Sequence, residues 1–254
     1  MMLPPLHDRT IVITGAGRGL GAAFAEACAA AGARIVIGEL RTELGEATAA
    51  RLREAGHDAT ALALDIEDPA SVDAFAAALR ERHDAIDGLL NNAALATGIG
   101  GIPFDELDID TWDRVMRINV RGTWLMVRAM APFLRRSERG GRIVNLASDT
   151  ALWGAPNLLH YVGSKGAVIA MTRSLSRELG GDGITVNALA PGLVRVEATD
   201  YVPQARKDFY VNSAAIQRPQ VPDDTVGAAV FLLGDAAGFI SGQILPINGG
   251  LISA

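Results

Sequence analysis

The chain has 254 residues, 49% of them hydrophobic and 20% charged, and its formal net charge at pH 7 is −6. This length fits one large α/β domain, and the apolar residues can fill a sizeable core. The acidic balance argues against a general nucleic-acid or anionic-membrane binder, because polyphosphate surfaces repel such a protein. We therefore expect neither nucleic acid nor a membrane as a partner.

One cysteine and four separated histidines predict neither a disulfide nor a metal site. Cys28 is the only cysteine, and His7, His57, His83 and His160 form no ligand pair at helical spacing. The N-terminus has no charged stretch followed by an apolar core, as a secretory signal would, and no uninterrupted apolar run reaches the roughly 18 to 20 residues that span a bilayer. We expect a soluble, reduced, cytoplasmic protein without a metal.

Short apolar segments alternate with longer helical ones along the whole chain. The predicted strands cover residues 11–14, 34–38, 61–64, 88–91, 142–146, 185–189 and 244–247. The predicted helices cover residues 20–31, 42–55, 69–82, 111–136, 162–179 and 223–233. Continuous apolar strands are typical of parallel sheets buried on both faces. The alternation predicts an α/β fold, a single Rossmann-like domain over residues 1–254 with a doubly wound parallel sheet flanked by helices on both faces.

Residues 193–217 break this alternation. The segment is too long for a tight connection, and it mixes Tyr201, Phe209 and Tyr210 with charged residues. Long loops in compact domains are commonly lids or binding loops, and this one leaves the carboxyl end of a predicted strand. We interpret it as a substrate lid; the alternative is a surface insertion with two helical turns.

The first predicted strand runs directly into a glycine-rich loop, TGAGRGLG at residues 14–21, and a helix follows. Glycines allow a sharp turn and let backbone N–H groups approach a pyrophosphate, which the positive end of the helix dipole also favours. With a strand before it and a helix after it, the loop predicts dinucleotide binding. The candidate contacts in it are Gly15, Arg18, Gly19, Leu20 and Gly21.

Glu39 ends the second predicted strand. An acidic residue at this point accepts hydrogen bonds from the adenosine ribose hydroxyls and repels a 2′-phosphate, which favours NAD over NADP. Arg18 and Arg41 argue the other way, since either can pair with a phosphate. We predict NAD as the cofactor, with NADP as the alternative.

Three further residues form a candidate catalytic group. Tyr161 and Lys165 stand at i and i+4, on one face of a predicted helix. An ammonium group near a phenol favours the phenolate and lowers the tyrosine pKa from its usual value of about 10. Ser148 ends the preceding strand, at the edge where a doubly wound sheet faces its cofactor.

Taken together, these motifs resemble the short-chain dehydrogenase/reductase family over essentially the whole chain. The resemblance also rests on the sequence NNAA at 91–94, on Asn119 in the long helix and on Pro191-Gly192. Three positions depart from the family pattern: Ala94 replaces a usual glycine, Val196 a threonine that bonds the carboxamide, and Asn248 an aspartate. The resemblance adds as candidate cofactor contacts Leu40, Asp65, Ile66, Asn92, Ala93, Tyr161, Lys165, Pro191, Gly192 and Val194.

The resemblance also implies a reaction, the transfer of a hydride between NAD(H) and a secondary alcohol or ketone. Tyr161 would give or take the proton of the substrate oxygen, and Ser148 would polarise that oxygen. Lys165 would bond the nicotinamide ribose and stabilise the phenolate. Asn119 would hold a water that links Lys165 to solvent.

The predicted substrate pocket is mostly apolar, which favours a cyclic or aryl substituent. The predicted substrate-binding residues are Ser148, Leu95, Trp153, Leu159, Tyr161 and Tyr201. An equally open alternative is that the apolar ones pack the core or a subunit contact. Apolar residues on more than one face of the helices at 111–136 and 162–179, together with the resemblance, imply a homotetramer.

Two other functions compete with this one. The first is an NADPH-dependent 3-oxoacyl carrier-protein reductase, against which Glu39 and the lack of an evident basic patch argue. The second is a non-catalytic dinucleotide-binding regulatory protein, which would not need an intact set of Ser148, Tyr161 and Lys165. We therefore expect an NAD(P)-dependent alcohol dehydrogenase or ketoreductase.

Overall fold

Seven parallel strands form a single sheet in the order β3-β2-β1-β4-β5-β6-β7 in the computed structural model, which describes residues 5–252. The predicted doubly wound parallel sheet is therefore confirmed, while the outermost residues of the predicted domain, 1–4 and 253–254, lie outside the described residues. The strands are β1 (Thr10–Thr14), β2 (Arg34–Glu39), β3 (Ala59–Ala63), β4 (Gly88–Asn91), β5 (Arg142–Leu146), β6 (Thr185–Pro191) and β7 (Ile244–Ile247).

Helices cover both faces of this sheet. They are α1 (Gly19–Ala30), α2 (Thr42–Glu54), α3 (Pro69–Arg80), α4 (Ile109–Met116), α5 (Thr123–Leu134), α6 (Thr150–Trp153), α7 (Leu159–Leu179), α8 (Gln204–Ser213) and α9 (Asp223–Leu233). The predicted helix at 111–136 is in fact α4 and α5, joined by a π-helical turn at Arg117–Gly122. Within residues 5–252, none of the helices is long and apolar enough to cross a membrane.

The side chains of β1 alternate between two cores, one on each face of the sheet. Ile11 and Ile13 pack with Phe24 of α1, whereas Val12 packs with Phe75 of α3 on the opposite face. A strand buried on both faces has no polar side, which is why its sequence reads as a continuous apolar run. Cys28 lies fully buried in the first core, and burial raises its thiol pKa to about 12.

Half of the apolar residues that suggested a subunit interface belong to the chain's own core. Val115, Leu125, Met130 and Val168 are at most 2% exposed. Trp112, Met116, Met171 and Leu175 are half-buried, and Trp124 of α5 is 45% exposed, with the Arg128 guanidinium over its ring. The homotetramer stays a prediction.

A row of buried polar side chains links β4, β5 and α7 beneath the carboxyl edge of the sheet. Asn91 Nδ2 donates to Asn145 Oδ1 (2.9 Å), and Asn145 Nδ2 donates to Thr172 Oγ1 (3.0 Å). Thr172 in turn donates to the carbonyl of Val168 within α7. Because these groups are buried, their hydrogen bonds fix the position of α7 on the sheet.

We expect Asn145→Ala to lower the free energy of unfolding by about 2–4 kcal/mol, because it removes the acceptor of Asn91 and the donor to Thr172 in a buried setting. Chemical denaturation measures this difference. As a control, Thr60→Ala in the edge strand β3, where the side chain is half-buried, should cost about 1 kcal/mol or less. Equal losses in the two variants would show that the polar row adds no stability.

Candidate active site

The loop after β1 and the turn after β4 are joined by four hydrogen bonds. Thr14 Oγ1 accepts from the backbone N–H groups of Asn92 (3.1 Å) and Ala93 (3.0 Å). The Asn92 side chain donates to the carbonyls of Thr14 (3.0 Å) and Gly15 (2.9 Å). This contact of Thr14 with the turn after β4 was not predicted from the sequence, although the motif shows a hydroxyl residue at the start of the glycine loop.

Two glycines allow this close approach. Gly15 has a φ of +67°, and a Cβ there would lie 2.9 Å from the Cα of Ala93. A Cβ on Gly21 would lie 2.1 Å from the carbonyl oxygen of Gly15. Side chains are therefore excluded from both positions, and the loop presents bare backbone at the start of α1.

Glu39 is fixed against this loop. Its Oε2 accepts from the backbone N–H of Gly17 (2.9 Å), and its Oε1 accepts from that of Arg41 (3.1 Å). The carboxylate is only 8% exposed, yet it lies on the wall of a cavity. Arg18 and Arg41 line the same cavity and are exposed.

This cavity has a volume of about 470 Å³ and runs along the carboxyl edge of the sheet. It brings together all the predicted cofactor contacts: Gly15, Arg18, Gly19, Leu20, Gly21, Glu39, Leu40, Asp65, Ile66, Asn92, Ala93, Tyr161, Lys165, Pro191, Gly192 and Val194. Thr97, Arg114 and Thr199 line it too, and the sequence analysis had not singled them out. A side-chain-free loop at a helix N-terminus with an acidic group at the end of β2 fits a dinucleotide.

Three of the four predicted catalytic residues, Ser148, Tyr161 and Lys165, line the same cavity. Ser148 follows β5, and its Oγ accepts from the hydroxyl of Thr150 (2.9 Å). Lys165 lies one helical turn after Tyr161 on α7, and its Nζ donates to the carbonyl of Leu146 (2.6 Å). The same Nζ lies 5.7 Å from the centroid of the Tyr161 ring.

Burial governs the protonation of this pair. It raises the pKa of Tyr161 to about 12, with the Ser148 hydroxyl acting in the opposite direction and the charges of Tyr201 and Asp149 raising it further. Burial also lowers the pKa of Lys165 to about 8. A lowered Tyr161 pKa was predicted from the sequence. In the structure the pKa is raised instead, because the hydration that the phenol loses on burial outweighs the effect of the nearby Lys165 ammonium.

Asn119 lies in the π-helical turn and is fully buried. Its Oδ1 accepts from the backbone N–H of Leu95 (2.7 Å), and its Nδ2 donates to the Leu95 carbonyl (3.1 Å) and to Ser164 Oγ (3.1 Å). The side chain therefore holds the segment after β4 against α7. Its predicted part in a water relay stays a prediction.

The predicted substrate-binding residues divide into two groups. Leu95, Ser148 and Tyr161 line the cavity, whereas Trp153, Leu159 and Tyr201 do not. Trp153 packs against Phe209 and Tyr210 of α8, with ring centroids 5.3 and 6.2 Å away. Tyr201 donates its hydroxyl to the carbonyl of Ala96 (3.0 Å), and Leu159 is 47% exposed.

The segment predicted as a lid contains a short helical turn (Glu197–Thr199) and the helix α8. Thr199 Oγ1 donates to the carbonyl of Val194 (2.8 Å). A threonine hydroxyl therefore lies beside Val194, one of the predicted cofactor contacts, although position 196 itself is valine. The helix α8 meets the segment after Ser148 through Trp153, Phe209 and Tyr210. Val194, Val196, Ala198 and Thr199 of this segment line the cavity, whereas α8 does not, and the lid stays a prediction.

Comparison with known proteins gives close matches over nearly the full length. A family model described as enoyl-(acyl carrier protein) reductase matches residues 15–252. A sorbitol dehydrogenase of Cereibacter sphaeroides is 39% identical over 256 residues, covering 96% of this chain and 98% of that protein. A 2,5-dichloro-2,5-cyclohexadiene-1,4-diol dehydrogenase of Sphingobium indicum is 37% identical over 250 residues, covering 96% of this chain and 97% of that protein.

A solved structure gives the same result for the fold. The gluconate 5-dehydrogenase of Burkholderia cenocepacia, in complex with NADP and tartrate, superimposes with a TM-score of 0.92 at 33% identity over 99% of both chains. The family model and the relatives match nearly the whole chain, so the resemblance found in the sequence is confirmed. The chain belongs to the short-chain dehydrogenase/reductase family and is an NAD(P)-dependent oxidoreductase of the alcohol dehydrogenase type.

Proposed function

We propose that this oxidoreductase moves a hydride between NAD(H) and a secondary alcohol or ketone, with Tyr161 as the general acid/base. The observation that carries the proposal is a single cavity lined both by the glycine loop and by Ser148, Tyr161 and Lys165. The bound nicotinamide supplies the acceptor or donor of the hydride. The protein supplies the proton and the hydrogen bonds to the substrate oxygen.

Tyr161 is suited to both directions of proton transfer. With its pKa raised to about 12, the phenol is protonated near neutral pH and can donate to a carbonyl oxygen during reduction. During oxidation it must accept the proton of the alcohol as phenolate, which the Lys165 ammonium 5.7 Å from the ring favours. A Lys165 pKa of about 8 leaves that ammonium mostly charged at neutral pH.

Ser148 is oriented by Thr150. Because the Thr150 hydroxyl donates to Ser148 Oγ, the hydrogen of Ser148 itself is available to a substrate oxygen. A donor aimed at that oxygen stabilises the negative charge that develops on it. Asn119 supports the same site by holding Leu95 in the cavity wall.

Cofactor preference follows from Glu39. Its carboxylate is held by two backbone N–H groups on the cavity wall, so it cannot swing away from the position that a 2′-phosphate would approach. Like charges brought together in a partly desolvated site disfavour binding. This supports NAD over NADP, although Arg18 and Arg41 reduce the difference.

We infer that the substrate carries an apolar cyclic or aryl group. Leu95, Ala96 and Val196 line the cavity, and Tyr201 bonds the Ala96 carbonyl from outside it. Such walls bind a ligand by burying its apolar surface. Similarity to the cyclohexadienediol dehydrogenase agrees with this inference, whereas similarity to the sorbitol dehydrogenase favours a polyol.

Assembly and location remain proposals as well. We propose a homotetramer in the cytoplasm; exposed aromatic side chains on separate parts of the surface support an assembly of several copies. They are Trp124 on α5, Phe231 on α9 and Phe239 before β7. Exposed aromatic groups are enriched at interfaces between subunits.

Tyr161→Phe should abolish turnover and leave NADH binding within about twofold, because the change removes the proton donor and keeps the ring. Activity is followed by NADH absorbance and binding by NADH fluorescence. The comparison variant Tyr201→Phe loses a lid hydroxyl and should still turn over. Near-normal activity of Tyr161→Phe would contradict the mechanism.

Glu39→Ala should narrow the preference for NAD over NADP by about tenfold or more, since about 1.4 kcal/mol of repulsion corresponds to a factor of ten. Glu39→Gln removes the charge and keeps an acceptor for the glycine loop, so it separates charge from loop packing. Glu43→Gln, an exposed residue one turn along the chain, is the control and should leave the ratio unchanged. An unchanged ratio in both Glu39 variants would place cofactor specificity elsewhere.

A panel of cyclic, aryl and aliphatic secondary alcohols and polyols, assayed with NAD+ and NADP+ in parallel, tests the substrate inference. We expect the highest kcat/KM with NAD+ and an apolar cyclic or aryl alcohol. A preference for sorbitol-like polyols would contradict the apolar pocket. Activity confined to NADP(H) would favour the 3-oxoacyl carrier-protein reductase.

A further inference from the structure

A carboxyl group lies fully buried directly after Ser148. Asp149 is 0% exposed, and its backbone N–H donates to the carbonyl of Pro191 at the end of β6 (3.0 Å). A charged residue directly after Ser148 was visible in the sequence, but no step of the proposed reaction uses it. An ionised carboxylate in such a place needs donors to replace its hydration.

Three side chains from different parts of the chain meet this carboxylate. The Tyr210 hydroxyl of α8 donates to Oδ1 (3.1 Å). The side-chain N–H groups of Asn248 and Trp153 lie near enough to lower the Asp149 pKa. Asp149 Oδ2, Trp153 Nε1 and Asn248 Nδ2 are all buried, and none of the three has a hydrogen-bond partner among the described residues, so the Tyr210 hydroxyl is the one side-chain donor bonded to the carboxylate.

The contact is placed where the lid meets the rest of the protein. Asp149 and Trp153 belong to the segment after β5, Tyr210 to the lid helix α8, and Asn248 to the loop after β7. Aromatic packing surrounds the carboxylate, and the Arg206 guanidinium of α8 lies over the Trp153 ring (5.3 Å) and donates to the Pro156 carbonyl (3.2 Å). Asp149 is thus the one charged group buried between α8 and the Ser148 segment in the described part of the chain.

We propose that Asp149 is a positioning residue for the reaction, whose carboxylate docks the lid helix α8 on the segment that carries Ser148. Docking through Tyr210 holds α8, and with it the preceding part of the same segment, whose residues Val194, Val196, Ala198 and Thr199 line the cavity. The inference rests on the proposed function, because it assigns Asp149 to the site of Ser148 and Tyr161.

The same carboxylate acts on Tyr161 through its charge. Asp149 raises the pKa of Tyr161, so neutralising it makes the phenolate easier to form. Burial raises the pKa of Asp149 itself to about 6, which leaves it ionised at neutral pH. The other titratable or charged groups around it are Tyr161 on α7 and Tyr210 and Arg206 on α8; α6 and the loop after β7 contribute the neutral Trp153 and Asn248.

Asp149→Asn and Tyr210→Phe test the docking in the full-length protein. Asn keeps the shape and removes the charge that Tyr210 donates to, while Phe keeps the ring and removes only the donor to Asp149. We expect amide hydrogen exchange over residues 204–213 to accelerate about tenfold in both variants, with α9 unchanged, as the loss of one hydrogen bond to a charged group predicts. The alcohol KM should rise about tenfold, with NADH affinity and kcat within about threefold.

A pH profile separates positioning from packing. In Asp149→Asn the profile of kcat/KM for alcohol oxidation should move to lower pH, because the Tyr161 pKa falls; in Tyr210→Phe, which keeps the carboxylate, it should stay in place. Asp223→Asn, an exposed carboxylate at the start of α9, is the control for loss of one charge and should match the unmodified protein.

Unchanged exchange in α8 together with an unchanged alcohol KM would overturn the proposal. Faster exchange throughout the protein, or a profile that stays in place in Asp149→Asn, would also overturn it, since either reduces Asp149 to a packing role. Should Asp149→Asn fail to fold, Tyr210→Phe still decides by the exchange of α8. Hydrogen exchange is measured without turnover, so it tests the docking alone. An active Tyr161→Phe variant would contradict the proposed function, and unchanged exchange in α8 would contradict the docking, so the two failures are distinguishable.

Discussion

The cavity depends on how closely the loop after β1 approaches the turn after β4. Thr14 and Asn92 bond across this gap, and the backbones are so near that a Cβ on Gly15 would lie 2.9 Å from Ala93. The strand order runs outward in both directions from β1 and β4, so the chains leaving these strands diverge. A crevice at that point is where open parallel sheets bind ligands, and the bare glycine backbone makes it deep enough for a dinucleotide.

Burial in this crevice also sets the chemistry of the catalytic pair. It disfavours charge on both groups, raising the Tyr161 pKa to about 12 and lowering the Lys165 pKa to about 8. The proton therefore rests on the phenol, and in the proposed reduction it leaves the phenol for the carbonyl oxygen of the substrate. In that proposal Ser148 and the ammonium stabilise the charge that develops on the two oxygens, which is where stabilisation accelerates a reaction.

Local sequence patterns predicted the sheet, the glycine loop and the catalytic trio because each depends on neighbours along the chain. Apolar runs mark strands buried on both faces, and Tyr161 and Lys165 share a helix whichever way it packs. The π-helical turn at Asn119, the pairing of Thr14 with Asn92 and the donors around Asp149 depend on residues far away in the sequence, so no local pattern reveals them. The Tyr161 pKa is raised where the sequence predicted it to be lowered, and the reason is the same, since burial is a property of the folded chain.

The site therefore has two parts with different constraints. The cofactor side is built from strand ends and glycine backbone, where almost any added atom collides, as the 2.1 Å approach at Gly21 illustrates. The substrate side is built from α6, α8 and the loops around them, where Trp153, Phe209 and Tyr210 meet through side chains alone. Side-chain contacts can change without moving the sheet, so substrate choice can vary while the hydride chemistry stays fixed. In the proposed docking, the buried Asp149 carboxylate at the junction gives this variable part a defined position, because the Tyr210 hydroxyl can reach that acceptor only when α8 lies against the Ser148 segment.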